Sequence, residues 1–120
     1  MWDLPRHTYE EVREVVIDVI LHPISENITK TASNGWPNLI ISVGYVFSQR
    51  EKRVDLRLHP NDAELVRDVF WDLFRQGFIT LGKDDPNNMW PWFRLSHFGQ
   101  KTLQIQSPYR FHDTTLLSRS

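Results

Sequence analysis

Between Asn61 and Gly77 the chain has one reading. Leu65, Val66, Val69, Phe70, Leu73 and Phe74 recur at a period of 3.6, which a helix turns into a single apolar stripe. Asn61 and Glu64 have the spacing of a capping box, with Pro60 just outside it. Gly77 stands where the left-handed residue after a helix belongs, and Phe78 supplies the apolar contact that often follows. Such a helix must bury its stripe, so the remaining elements have to provide a second layer.

An earlier helix is announced by Thr8-Tyr9-Glu10-Glu11, where Thr8 caps and Glu11 reaches back. Tyr9, Val12, Val16, Val19 and Ile20 follow at helical spacing, and Pro23 ends the run near Leu21. Six β-branched residues between Val12 and Ile20 keep a strand in competition. Ser25 to Pro37 is polar, with a turn at Asn34-Gly35. Asn38 to Gln49 fits both periods: Leu39, Ile40, Val43, Val46 and Phe47 make a helix face, while Leu39, Ile41, Val43, Tyr45 and Phe47 make a strand face. Val54, Leu56 and Leu58 alternate with Asp55 and Arg57 as a short half-buried strand would. After Gly77, strands are expected over Phe78 to Gly82 and Trp92 to Leu95, joined by the polar hairpin Lys83 to Met89. Ser96 is placed to cap a last helix through Ile105, ended by Pro108.

The chain has 120 residues, with no repeat and no linker, which is one domain over 1–111 and a polar tail over 112–120. It has no cysteine, which excludes a disulfide scaffold, thiol nucleophiles and thiolate zinc sites. No apolar run is long enough to span a membrane, and the start is unlike a signal peptide, so a cytoplasmic setting is expected.

The net charge of −1 is unlike that of a dedicated phosphate-gripping domain. It averages an acidic first helix with two basic segments, Arg50 to Arg57 and Arg94 onward. Arg50, Lys52, Arg53 and Arg57, if they share a face with Lys83, Arg94 and Lys101, would contact backbone phosphates. The alternative is a solvated loop with internal salt bridges. Trp71 points off the apolar stripe towards Glu64, Asp68 and Arg75. It is either covered by a second layer or an anchor for a protein partner, as tryptophan often is. Trp90 and Trp92 flank Pro91 and either seal the hairpin or form a docking surface.

Nothing argues for catalysis. The five histidines are scattered without metal-ligand spacing, and no metal or cofactor is expected. Glu64, Asp68 and Asp72 form a carboxylate stripe, read as a solvated helix face beside Arg67 and Arg75. Neighbouring Ser96 and His97 cannot face each other for proton transfer.

Two runs carry a family likeness. Leu73-Phe74-Arg75-Gln76-Gly77-Phe78-Ile79 is followed by a polar hairpin and then by Phe93-Arg94-Leu95-Ser96-His97-Phe98-Gly99, with Leu103 four positions on. The stretch from Asn61 to Leu103 resembles the second half of a bacterial-type winged helix-turn-helix domain. The resemblance implies an α+β, winged-helix-like fold of three to four helices, a small antiparallel sheet and a β-hairpin wing at Lys83 to Trp90. In that arrangement 38–49 is a helix, and Asp62 to Gln76 holds the recognition position. It implies a nucleic-acid-binding or regulatory module, of the kind that forms the N-terminal part of a larger bacterial protein. Asp62, Glu64, Asp68 and Asp72 on its outward face would repel phosphate, so loops and wing would have to make the contacts. The rival expectation is a protein-interaction or homodimerisation domain on the same fold, anchored by Trp71, Trp90 and Trp92.

Overall fold

Thr8 opens helix α1, Tyr9–Leu21, as the sequence leads one to expect. Its Oγ1 accepts from the Glu11 N–H at 3.2 Å, and the Glu11 carboxylate accepts from the Thr8 N–H at 2.8 Å. The computed structural model of the chain describes residues 4–24, 36–82 and 88–106. The turn at Asn34-Gly35, the hairpin residue Lys83 and the tail 112–120 lie outside the described residues.

α1 is a helix despite its β-branched residues because it is covered on several sides. Val12, Val15, Val16, Ile17 and Val19 are all fully buried, with α1 packed against each of the other helices and one strand. Burial of that many apolar side chains outweighs propensity differences of a few tenths of a kcal/mol each.

Helix α2, Trp36–Glu51, settles the ambiguous segment. Leu39, Val43, Val46 and Phe47 are buried, whereas Ile41, which a strand would need inside, is exposed. The helix begins two residues before Asn38, inside what looks like a polar turn. Pro37 falls in its first turn, where a missing N–H costs nothing.

The short strand expected at Val54 to Leu58 is absent. These residues are irregular, and Val54 is 97% exposed. Alternation alone makes no strand without a neighbour, and here local groups satisfy the backbone instead. Asp55 Oδ1 accepts from the Arg57 N–H at 2.9 Å, and the Arg53 guanidinium donates to the Asp55 carbonyl at 2.8 Å. The segment lies so close to α2 that a Cβ on Gly44 would sit 2.1 Å from the Leu56 carbonyl oxygen.

Helix α3, Pro60–Arg75, carries the apolar stripe, but its cap differs from the sequence reading. His59 is the N-cap, its Nδ1 accepting from the Asn61 N–H at 3.0 Å, and Pro60 is the first helical residue. Asn61 is therefore already inside the first turn, and Asp62 is buried rather than outward-facing. The other end is as expected. Gly77 takes φ +81°, its N–H meets the Phe74 carbonyl at 3.0 Å, and the Phe78 N–H meets that of Leu73 at 3.0 Å.

Strands β1, Ile79–Leu81, and β2, Phe93–Leu95, pair antiparallel with Thr80 opposite Arg94. Ser96 then caps α4, His97–Gln106: its Oγ accepts from the Gly99 N–H at 2.9 Å and donates to the Gly77 carbonyl at 2.6 Å. A Cβ at position 99 would meet the Phe78 carbonyl oxygen at 2.1 Å, so only glycine lets α4 approach this closely. The described residues thus form an α+β fold of four helices and a two-stranded antiparallel sheet. No helix among them is long and apolar enough to cross a membrane.

Candidate interaction surface

Two of the basic residues meet α1, at different points along its length. Arg50 closes α2 and pairs with Glu14 at 3.5 Å. Arg53 donates to Glu51 at 2.7 Å, and Arg57 grips Asp55 through two nitrogens, which raises the affinity of its guanidinium for the proton. Lys52 is exposed and adopts φ 56° just after the helix. Arg94 lies at the C-terminal end of α1, beside Ile20, Leu21 and Gln100, with exposed Lys101 next along α4. From Glu14 to Leu21 the rise of α1 is roughly 10 Å, which sets Arg50 apart from Arg94 along the helix. Lys83 lies outside the described residues.

Arg50, Arg53 and Arg57 are thus each held by a carboxylate of their own neighbourhood. For Arg53 and Arg57 the signal was in the sequence, in Glu51 and Asp55 set between them, whereas the partner of Arg50 is Glu14 on α1. Exposed pairs of this kind contribute little stability, yet they leave less charge for an incoming phosphate.

The tryptophans behave differently: the fold draws three of them together, Trp36, Trp71 and Trp90. Trp71 on α3 is half-buried and stacks on Trp90, with ring centroids 5.3 Å apart and planes 22° from parallel. Trp71 also meets Phe70 and Phe74 edge-on, at 5.0 and 5.3 Å. Trp90 continues to Trp36, at 5.6 Å, and to Phe70, at 5.8 Å. Trp36, the first residue of α2, is a member that sequence reasoning missed. It lies in a polar stretch with no periodicity to mark it, yet it is buried with the Arg67 guanidinium 5.9 Å over its ring. Trp92 is half-buried, with its backbone N–H on the Met89 carbonyl and its carbonyl accepting from the Gly82 N–H.

One side of this cluster is open. Trp90 is 43% exposed, Phe74 36% and Met89 70%, so the aromatic core of the domain continues to the surface as a shelf. Exposed Asp68 and Arg75 flank it on α3. Next to it, Asp72 accepts from the Tyr9 hydroxyl and from Arg75. The Tyr9 hydrogen bond, and after it the Arg75 charge, hold the Asp72 carboxyl below the usual carboxylate range. Burial first, and the same Asp72 contact second, push the Tyr9 hydroxyl up to about 12.

A second missed feature sits at the far end of α3. His7 bridges Glu51 at 2.5 Å and the buried Asp62 at 2.6 Å while stacking on Phe47 at 3.9 Å. Among the described residues no group of three metal-ligating side chains gathers. No protein family, curated protein or solved structure matches this chain.

Proposed function

We propose that this chain is a protein-interaction module that docks through the Trp71–Trp90–Phe74 shelf, in its simplest form against a second copy of itself. The observation that carries the reading is the open Trp71–Trp90 stack. Two tryptophans from different elements are pre-organised by ring contacts, so little side-chain freedom is left to lose on binding. Large aromatic anchors beside an exposed apolar rim are what binding hot spots are built from. A cytoplasmic setting belongs to the proposal and suits a chain without cysteine. Binding rather than catalysis is its role.

The test is sedimentation of the wild type and Trp90→Ala over a concentration series. A dimer that the substitution abolishes supports docking through the shelf. An unshifted monomer in both counts against self-docking.

A second reading, a winged-helix nucleic-acid-binding module, is favoured by Arg94 and Lys101. Both are exposed, and neither has an ion-pair partner among the described residues. The α+β order of helices and hairpin is compatible with that architecture. Duplex binding that falls steeply with salt, and that Arg94→Ala with Lys101→Ala weakens, would select it. No binding at low salt removes it.

A further inference from the structure

Residues 4–8 reach α1 as an arm without regular structure, and His7 is where that arm is fastened. The His7 N–H donates to Asp62 Oδ1 at 2.9 Å, Nδ1 meets Asp62 Oδ2 at 2.6 Å, and Nε2 meets Glu51 Oε2 at 2.5 Å. The ring lies over Phe47, and its side chain is 9% exposed. One imidazole therefore ties the arm to the end of α2 and the start of α3 together.

We infer that His7 is a proton-dependent latch, which as imidazolium fastens the arm to α2 and α3 and on losing its proton releases it. Both ring nitrogens face carboxylate oxygens, and only the imidazolium has an N–H for each. In either neutral tautomer one nitrogen lone pair would point at a carboxylate at hydrogen-bond distance. The buried Asp62 would also lose its one ion-pair partner among the described residues, and an uncompensated buried charge is strongly unfavourable. Moving the arm away lets water reach both.

The surrounding charges act in the same sense. α1 contributes Glu10, Glu11 and Glu14 to the pocket of 430 Å³ beside His7, and α2 contributes Glu51 and Arg50. α3 contributes Asp62, with the N-cap His59 just before it, and Arg53 backs Glu51. Arg50 and Arg53 are each paired to one of these acids, so carboxylates dominate around the ring. Burial opposes the imidazolium, but the hydrogen bonds to Asp62 and Glu51 outweigh it and raise the His7 pKa above its ordinary value. For Glu51, burial is likewise outweighed by its bonds to His7 and Arg53, and its pKa is lowered. The sign follows: a raised histidine pKa gives a contribution fully present below the ordinary value, near 6.5, and lost as pH rises through the raised one. The latch is closed between the lowered Glu51 pKa and the raised His7 pKa, and opens on the alkaline side. It does not depend on the aromatic shelf.

The test is an NMR titration of the full chain, following the His7 ring and its cross-peaks to the Phe47 ring. The expected result is a His7 midpoint above that of a free histidine, with the Phe47 cross-peaks falling about tenfold for each pH unit beyond it, as a one-proton equilibrium requires. Glu51→Gln, at a side chain that is 30% exposed, keeps the fold, lowers the midpoint and moves arm release with it. His7→Gln abolishes the pH dependence of the arm. Cross-peaks that persist through the His7 titration overturn the latch, as does a midpoint that Glu51→Gln leaves unmoved.

Discussion

Trp71 and Trp90 lie 22° from parallel at 5.3 Å, one on the central helix stripe's polar side and the other just before the returning strand. Their contact joins α3 to the base of the hairpin and leaves one ring at the surface. Trp90→Ala is therefore expected to cost about 1 kcal/mol of stability, because the ring is part-exposed. Trp36→Ala, at a buried ring, is expected to cost about 3–5 kcal/mol. Chemical denaturation of the two variants checks the order; equal losses would mean that Trp90 is core rather than shelf.

Gly99→Ala tests the approach of α4 to β1. The added methyl would meet the Phe78 carbonyl at 2.1 Å, and that oxygen also accepts from the Ser96 N–H. Strain of this kind costs about 1–3 kcal/mol or more. A melting temperature equal to that of the wild type would contradict the packing.

Ser96→Ala removes two hydrogen bonds at once, the cap on Gly99 and the bond to the Gly77 carbonyl. A loss of about 1–2 kcal/mol is expected, the range of a helix cap. Faster amide exchange at Gly99 than along the rest of α4 would locate the effect.

Tyr9→Phe leaves Asp72 with Arg75 alone and is expected to cost about 1 kcal/mol, since Asp72 is part-exposed. The hydroxyl pKa is raised from 10.0 to about 12. Its contribution is thus present below the ordinary value and lost as pH rises towards the raised one. In a spectrophotometric titration one tyrosine should ionise well after the ordinary range, and Tyr9→Phe should remove that step.

How far these features could be read from the chain depends on the range of the interactions behind them. Thr8 with Glu11, Gly77 with Phe74, and Ser96 with Gly99 are local, and their spacing announced each of them. Leu39, Val43 and Phe47 belong to both periods, so only the burial of Ser42 and Val46 against exposed Ile41 separates helix from strand. The alternation at Val54 to Leu58 misled because a strand is a property of a pair of segments. His7 carried no signal at all. Its partners are 44 and 55 positions away, and nothing in a lone histidine marks two carboxylates that the fold will bring to it.

The place of α1 has a consequence for a chain still being made. Among the described elements, Val15, Val16, Ile17 and Val19 emerge before each helix and strand that packs against α1, and α4 emerges after the others. Closing contacts over that separation is slow compared with forming the helix itself. During synthesis this valine-rich helix therefore waits for the described elements that cover it, and α1 is where nascent apolar surface most needs shielding.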